Sequence, residues 1–118
     1  MSVSISIVIL AYNTRDLVIG CLNHFCQTLL SDGAQVIVVD NASVDGTCDA
    51  VRQVYPAVQL IRNTRNLGYA GGNNLGIKAA TGDAVILLNS DVITSAQTLQ
   101  TMTDELMRQE RTAGGNSC

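Results

Sequence analysis

Histidine and basic residues are scarce in this 118-residue sequence, which also lacks tryptophan and paired cysteine motifs. His24 stands alone, and Cys21, Cys26, Cys48 and Cys118 form no C-x-x-C pair, so neither a zinc site nor a dithiol redox centre is spelled out. The cysteines read as free thiols. Seven Lys and Arg against ten Asp and Glu give a net charge of -3, and without a basic cluster a nucleic-acid partner is excluded. No window reaches the roughly 20 uninterrupted apolar residues of a membrane span. The apolar start from Val3 to Leu10 carries no basic leader or small-residue cleavage site, so a cytoplasmic protein is expected. What remains is 47% hydrophobic and 14% charged, enough to bury one core without disulfides or metal. One domain over residues 1–111 is expected, followed by a flexible, Gly-rich tail over 112–118.

Four short Val, Ile and Leu runs, at Val3 to Leu10, Gln35 to Val39, Val58 to Arg62 and Ala84 to Asn89, are too short for helices and read as strands. Between the first two, Val18, Leu22, Phe25 and Leu29 recur at helical spacing, with Asn13 or Thr14 placed to cap the start and Gly33 beyond the end. Ser43 and Asp45 can cap a second helix through Thr47 and Val51, which must stop near Tyr55 because Pro56 disfavours a helical residue before it. A third helix should follow Tyr69 and run to about Ala80, with Gly82 available for a left-handed C-terminal position. Leu99, Met102 and Leu106 mark a fourth, starting near Ser95. Strands alternating with helices, and apolar throughout, imply an α/β fold: a mainly parallel sheet covered on both faces.

Ligands of such sheets sit outside the carboxyl ends of the strands. Here those ends are Ala11-Tyr12-Asn13, Asp40-Asn41-Ala42-Ser43, the segment from Asn63 to Asn66, and Asn89-Ser90-Asp91. Any one of them is explained as well by ordinary turn and cap chemistry; four converging on one edge point to a site. Asp91 closes a rigid apolar strand and suits a hard cation, Mn2+ or Mg2+, whose shell substrate phosphates complete; its competing role is a helix cap. Asp40 could accept the ring N–H of uracil or thymine, which cytosine lacks, and Tyr12 could stack on the base. The segment from Asn66 to Gly76 combines four glycines with three asparagines at a helix start. It follows the third strand with the wrong spacing for a dinucleotide fingerprint, and no Gly-Lys-Ser or Gly-Lys-Thr of a P-loop occurs. Its glycines allow close packing beside a ligand while Asn66 and Asn74 offer amides to sugar or phosphate.

The blocks VSISIVILAYN, VIVVDNASVDGT, NLGYAGGNNLGI and VILLNSDV, in that order, resemble the N-terminal half of family 2 glycosyltransferases, especially rhamnosyltransferase-like members. The resemblance covers nearly everything through Asp91. It implies the GT-A fold, a Rossmann-like three-layer αβα arrangement of nucleotide-diphospho-sugar transferases, here incomplete. It also implies inverting transfer of a sugar from a UDP- or dTDP-sugar, dTDP-rhamnose among them, to an acceptor hydroxyl in cell-surface polysaccharide synthesis. On that basis Tyr12 and Asp40 would contact the nucleoside, the segment with Asn66, Gly68, Tyr69 and Asn74 would border the donor, and Ala11, Asn13, Asn41, Ser43, Asn89 and Ser90 would be further nucleotide- or donor-binding residues. Asp91 would bind Mn2+ or Mg2+ bridging the diphosphate. The acceptor would be a glycan or a lipid-linked glycan, with peripheral association at the inner membrane face through the family's other half and a second copy able to cap the exposed sheet edge.

Two departures qualify the resemblance. Many members carry two acidic residues where Asn89-Ser90-Asp91 has one, and family domains extend about twice as far, into a half that holds the acceptor site and the general base. No catalytic base is assignable, since Asp104 and Glu105 fall on the solvated face of the last helix. A donor-binding part without turnover is therefore a competing expectation. A sugar-nucleotide nucleotidyltransferase is a third, but it would want a basic, glycine-rich loop where Tyr12-Asn13-Thr14 stands.

Overall fold

A computed structural model describes residues 4–113, with side chains described for residues 4–109. Val3, Cys118 and the tail beyond residue 113 lie outside the described residues. The chain alternates β1 (Ile5–Ala11), α1 (Arg15–Ser31), β2 (Gln35–Asp40), α2 (Thr47–Val54), β3 (Gln59–Arg62), α3 (Gly68–Ala79), β4 (Ala84–Asn89) and α4 (Ala96–Ala113). The last helix thus runs two residues into the segment read as a tail.

All strand pairs are parallel, in the order β3-β2-β1-β4. The chain first steps outward from β1 to β2 to β3, then crosses back over the sheet to β4. Right-handed crossovers put helices of opposite travel on opposite faces. Accordingly α1, α2 and α4 share one face, where Val18, Leu22, Phe25 and Leu29 pack with Ile7, Ile9, Val36, Val38, Val51 and Leu99. On the other face α3 lies over Val8, Ile37 and Val39. The arrangement is the three-layer α/β fold expected, and it explains why β1 and β2 show no apolar alternation: both of their faces are buried. β4 is an edge strand with partly exposed apolar residues, Val85 and Leu87 among them.

Close approach by glycine seats α3. A Cβ on Gly76 would lie 2.3 Å from Val8 Cγ1, and one on Gly72 would lie 2.4 Å from Leu10 Cδ1. Gly82 behaves differently from the left-handed C-cap anticipated for it. Its φ is not positive, and α3 ends at Ala80 in extended backbone. Gly82 is instead wedged against β1, where its N–H donates to Ser6 Oγ at 2.8 Å and a Cβ would meet Ser6 N at 2.7 Å. The left-handed position falls to Gly33, at φ 90° just beyond α1, as its place in the sequence suggested.

Cys21, Cys26 and Cys48 are free thiols, all buried. Burial, the largest cause, pushes each up to about 11, with the charge of Asp91 adding to it at Cys21. No helix among the described residues is long and apolar enough to cross a membrane.

Candidate functional site

The carboxyl ends of the four strands lie side by side. Ala11 pairs with Asp40, Asp40 with Arg62, and Leu10 with Asn89, so the residues that follow emerge at nearly one level. The chain's direction of travel reverses between β1 and β4, which is where an open parallel sheet forms its binding crevice. Tyr12-Asn13 and Ser90-Asp91 flank that point.

The β1 and β2 ends are tied to each other. Asn13 takes a left-handed φ of 52°, from which its N–H donates to Ser43 Oγ at 2.8 Å while its Oδ1 accepts from Val44 N at 2.8 Å. Asn13 is therefore spent across the loops and does not cap α1. Thr14 occupies the cap position but makes no side-chain cap bond, and its Oγ1 is buried without a partner. The cap comes from 30 residues away: Asp45 Oδ2 accepts from Arg15 N at 3.0 Å, and Asp45 Oδ1 accepts from Thr47 N at 3.1 Å at the start of α2. One carboxylate thus serves two helix starts, and these bonds, the Thr47 hydroxyl foremost, hold its pKa below the usual aspartate value.

Asp40 is found inside the turn and not at its surface. The residue is fully buried, accepting from the Ser43 hydroxyl, from Ser43 N at 3.2 Å and from Cys48 Sγ at 3.2 Å. Those three bonds leave one lone pair, on Oδ1, for any further donor. Asn41 is buried at 2% exposure and organises the next loop: its Nδ2 donates to Gly68 O at 3.1 Å and its Oδ1 accepts from Asn63 Nδ2 at 2.7 Å. Asn66 Oδ1 accepts from Gly68 N at 2.8 Å, closing a turn in which Gly68 sits at φ 78°. Ala42, at φ 67°, supplies the other left-handed non-glycine residue.

The groups left facing outward are Tyr12, half exposed, with exposed Tyr69, Asn74, Asn89 and Asp91 and partly exposed Ser90. None of the side chains of Asn89, Ser90 and Asp91 makes a hydrogen bond or ion pair with a described residue, and the backbone turns through Val92 N donating to Asn89 O at 3.1 Å. The helix-cap role weighed for Asp91 is filled by Ser95, whose Oγ accepts from Thr98 N at 3.0 Å. Among the described residues no three His, Cys, Asp or Glu side chains gather to hold a metal.

Three further residues bear on this edge. Asp45 was read as a local cap, and its reach to α1 could not be seen. Asn73, 4% exposed on α3, has a side-chain amide with no hydrogen-bond partner among the described residues. Arg62 closes β3 with an exposed guanidinium; its position at a strand end was the available signal.

Comparison with known proteins identifies the lineage of this edge. The model for glycosyl transferase family 2 matches residues 6–116. The glycosyltransferase GlyG of Streptococcus pneumoniae is 26% identical over 113 residues, covering 93% of this chain and 37% of that protein. The poly(ribitol-phosphate) beta-glucosyltransferase of Bacillus spizizenii is 37% identical over 92 residues, covering 74% of this chain and 14% of that protein. Among solved structures, the mannosyltransferase PcManGT from Pyrobaculum calidifontis, in complex with GDP-Man and Mn2+, superposes with a TM-score of 0.76 at 29% identity, covering 85% of this chain and 31% of that one. The chain therefore spans well under half the length of these relatives. It belongs to glycosyl transferase family 2, and its four parallel strands are built on that family's GT-A fold.

Proposed function

We propose that the chain is the donor-binding part of an enzyme that moves a sugar from a nucleoside diphosphate to an acceptor hydroxyl. The observation that carries this is the exposed Asp91 beside the Tyr12-Asn13 turn, at the reversal point of a sheet whose family match runs over residues 6–116. In this reading Tyr12 stacks on the base, and Ser43 and Asn13 shape the nucleoside shelf. Asp40, fully buried, acts through the turn it holds. Asn66, Tyr69 and Asn74 border the ribose and sugar, and Asn89 and Ser90 line the approach to Asp91.

A divalent cation, Mn2+ or Mg2+, fits Asp91 as a hard oxygen donor, with the donor's own phosphates completing the shell. When bound it supplies charge neutralisation to the departing diphosphate. The chain's own residues bind and orient the donor, one of the contributions that sugar transfer requires. UDP- or dTDP-sugars, dTDP-rhamnose among them, are the proposed donors. The proposed acceptor is a glycan or lipid-linked glycan of a cell-surface polysaccharide, reached from the cytoplasmic side of the membrane.

A second reading is favoured by one observation. Asp40 is held in its turn and Asp45 by two helix starts, and the first reading gives Asp91 to the cation, which leaves no carboxylate of these three to deprotonate an acceptor. The isolated chain then binds donor without turning it over.

Calorimetric titration with UDP, dTDP, GDP and CDP, with and without Mn2+, tests the first reading. Binding of UDP or dTDP that strengthens with the metal supports it, and absence of binding to all four rejects it. Release of labelled sugar by these 118 residues alone would reject the second.

A further inference from the structure

The strand end farthest from Asp91 carries Arg62, paired in register with Asp40. Arg15, Arg52 and Arg108 each meet a carboxylate, whereas the Arg62 side chain, like that of Arg65, makes no ion pair or hydrogen bond with any described residue. Its charge is close enough to the buried turn to draw the Cys48 thiol downward, against burial and Asp40. Two pockets, of about 410 and 290 Å3, open against it and share Ser43, Val44 and Arg62 as walls; the larger is completed by Ala42, Asn63 and Thr64.

Apart from the Thr64 hydroxyl, the other polar groups of that corner are committed. Asp40 accepts three hydrogen bonds; the Ser43 hydroxyl donates to Asp40 and accepts from Asn13 N; the Asn63 amide donates to Asn41. The guanidinium is thus the charged donor that the larger pocket has to offer a ligand. From Arg62 to Asp91 is three strand intervals, about 14 Å at the usual spacing of parallel strands, a span that an extended nucleoside diphosphate covers from base to second phosphate.

We propose that Arg62 reads the keto oxygen of the donor base, selecting uracil, thymine or guanine over cytosine and adenine. The inference rests on the donor-binding reading given above. A keto oxygen accepts from the guanidinium, whereas the exocyclic amine of cytosine or adenine sets N–H against N–H. In uracil or thymine one arm of the fork takes O4; in guanine two arms can take O6 and N7 together. Base selection at this edge is then made by a donor at the β3 end, beside the carboxylate of β2.

The test is titration of the 118-residue chain and its Arg62→Ala and Arg62→Lys variants with UDP, dTDP, GDP, CDP and ADP. The side chain is exposed and unpaired, so both variants should fold, which thermal melts will verify. The wild type is expected to favour at least one keto nucleotide over CDP and ADP by on the order of tenfold or more. Arg62→Ala should bring that ratio close to one while leaving CDP affinity nearly unchanged, and Arg62→Lys should keep part of the preference with a single flexible donor. The order of UDP, dTDP and GDP tells which keto base is used. If the wild type binds and Arg62→Ala keeps the ratio, or weakens every nucleotide by the same factor, the inference is overturned while the donor site stands. If the wild type binds none of the five, both fall together.

Discussion

The two halves of the strand-end row differ in how finished they are. Around β1 and β2, Asn13, Asp40, Asn41, Ser43 and Asp45 are joined by hydrogen bonds among themselves and to neighbouring backbone, and α3 is pressed onto the sheet behind them. At β4, Asn89, Ser90 and Asp91 carry no side-chain partner among the described residues, on a strand with one free edge. The first half is preorganised, so under the proposed function a nucleoside meeting it would lose little to reordering. The second half lacks an internal partner for its carboxylate, as a site completed by a cation and phosphate requires. Changes to the first half should therefore register as stability, and changes to the second as ligand response.

The largest effect is expected at Gly76. A Cβ there would lie 2.3 Å from Val8 Cγ1 and 3.2 Å from Val39 Cγ2, both on fully buried side chains that are stiff at χ1. Gly76→Val adds a branched side chain to this contact, and its small gain in helix propensity does not offset the overpacking. A loss of about 3 kcal/mol, the upper end of ordinary overpacking, corresponds to a fall of roughly 10 °C in Tm. An unchanged melting curve would mean that α3 is not packed tightly enough to preorganise anything.

An intermediate effect is expected at Asp45. Asp45→Ala removes a cap from two helices and should cost about 1 kcal/mol or somewhat more. The sign of its pH dependence follows from the depressed pKa. The stabilisation is complete above the ordinary aspartate value and is lost as pH falls through the lower folded one. Melts of wild type and variant should differ at neutral pH and begin to converge only once pH falls below about 4. A difference that persists into strong acid would show that the carboxylate charge is not what ties the loops.

The same contrast explains what could be read in the sequence. The α/β order, the apolar strands and the helix stripe of Val18, Leu22, Phe25 and Leu29 were legible because burial on a fixed period leaves its mark on neighbouring residues. Ser95 at the start of α4 and Pro56 just past α2 were legible as local punctuation. The direction of Asp40 was not. A strand buried on both faces has no alternation to say which way its last side chain turns, and this one turns inward. Nor could periodicity reveal that Asp45 caps α1, since the partners stand 30 residues apart and meet only once β1 and β2 pair. Gly82 misled for a related reason: a glycine past a helix usually serves the helix, but this one serves Ser6, 76 residues earlier. Contacts made by the topology are invisible until the topology exists.

The smallest effect on stability, and the sharpest on function, is expected at Asp91. Its side chain is exposed and has no partner among the described residues, so Asp91→Asn should shift Tm by less than about 0.5 kcal/mol would. It removes the one carboxylate of the open half while keeping its shape. Donor nucleotide should then bind the variant equally well with Mn2+, with Mg2+ or with neither, whereas the wild type tightens when metal is added. The unperturbed melt matters as much as the lost response, because together they separate a ligand-facing group from a structural one. If the variant keeps the metal response, another group must hold the cation. If instead it melts well below the wild type, Asp91 is bound up in the fold, and the contrast between a finished nucleoside half and an open metal half does not hold.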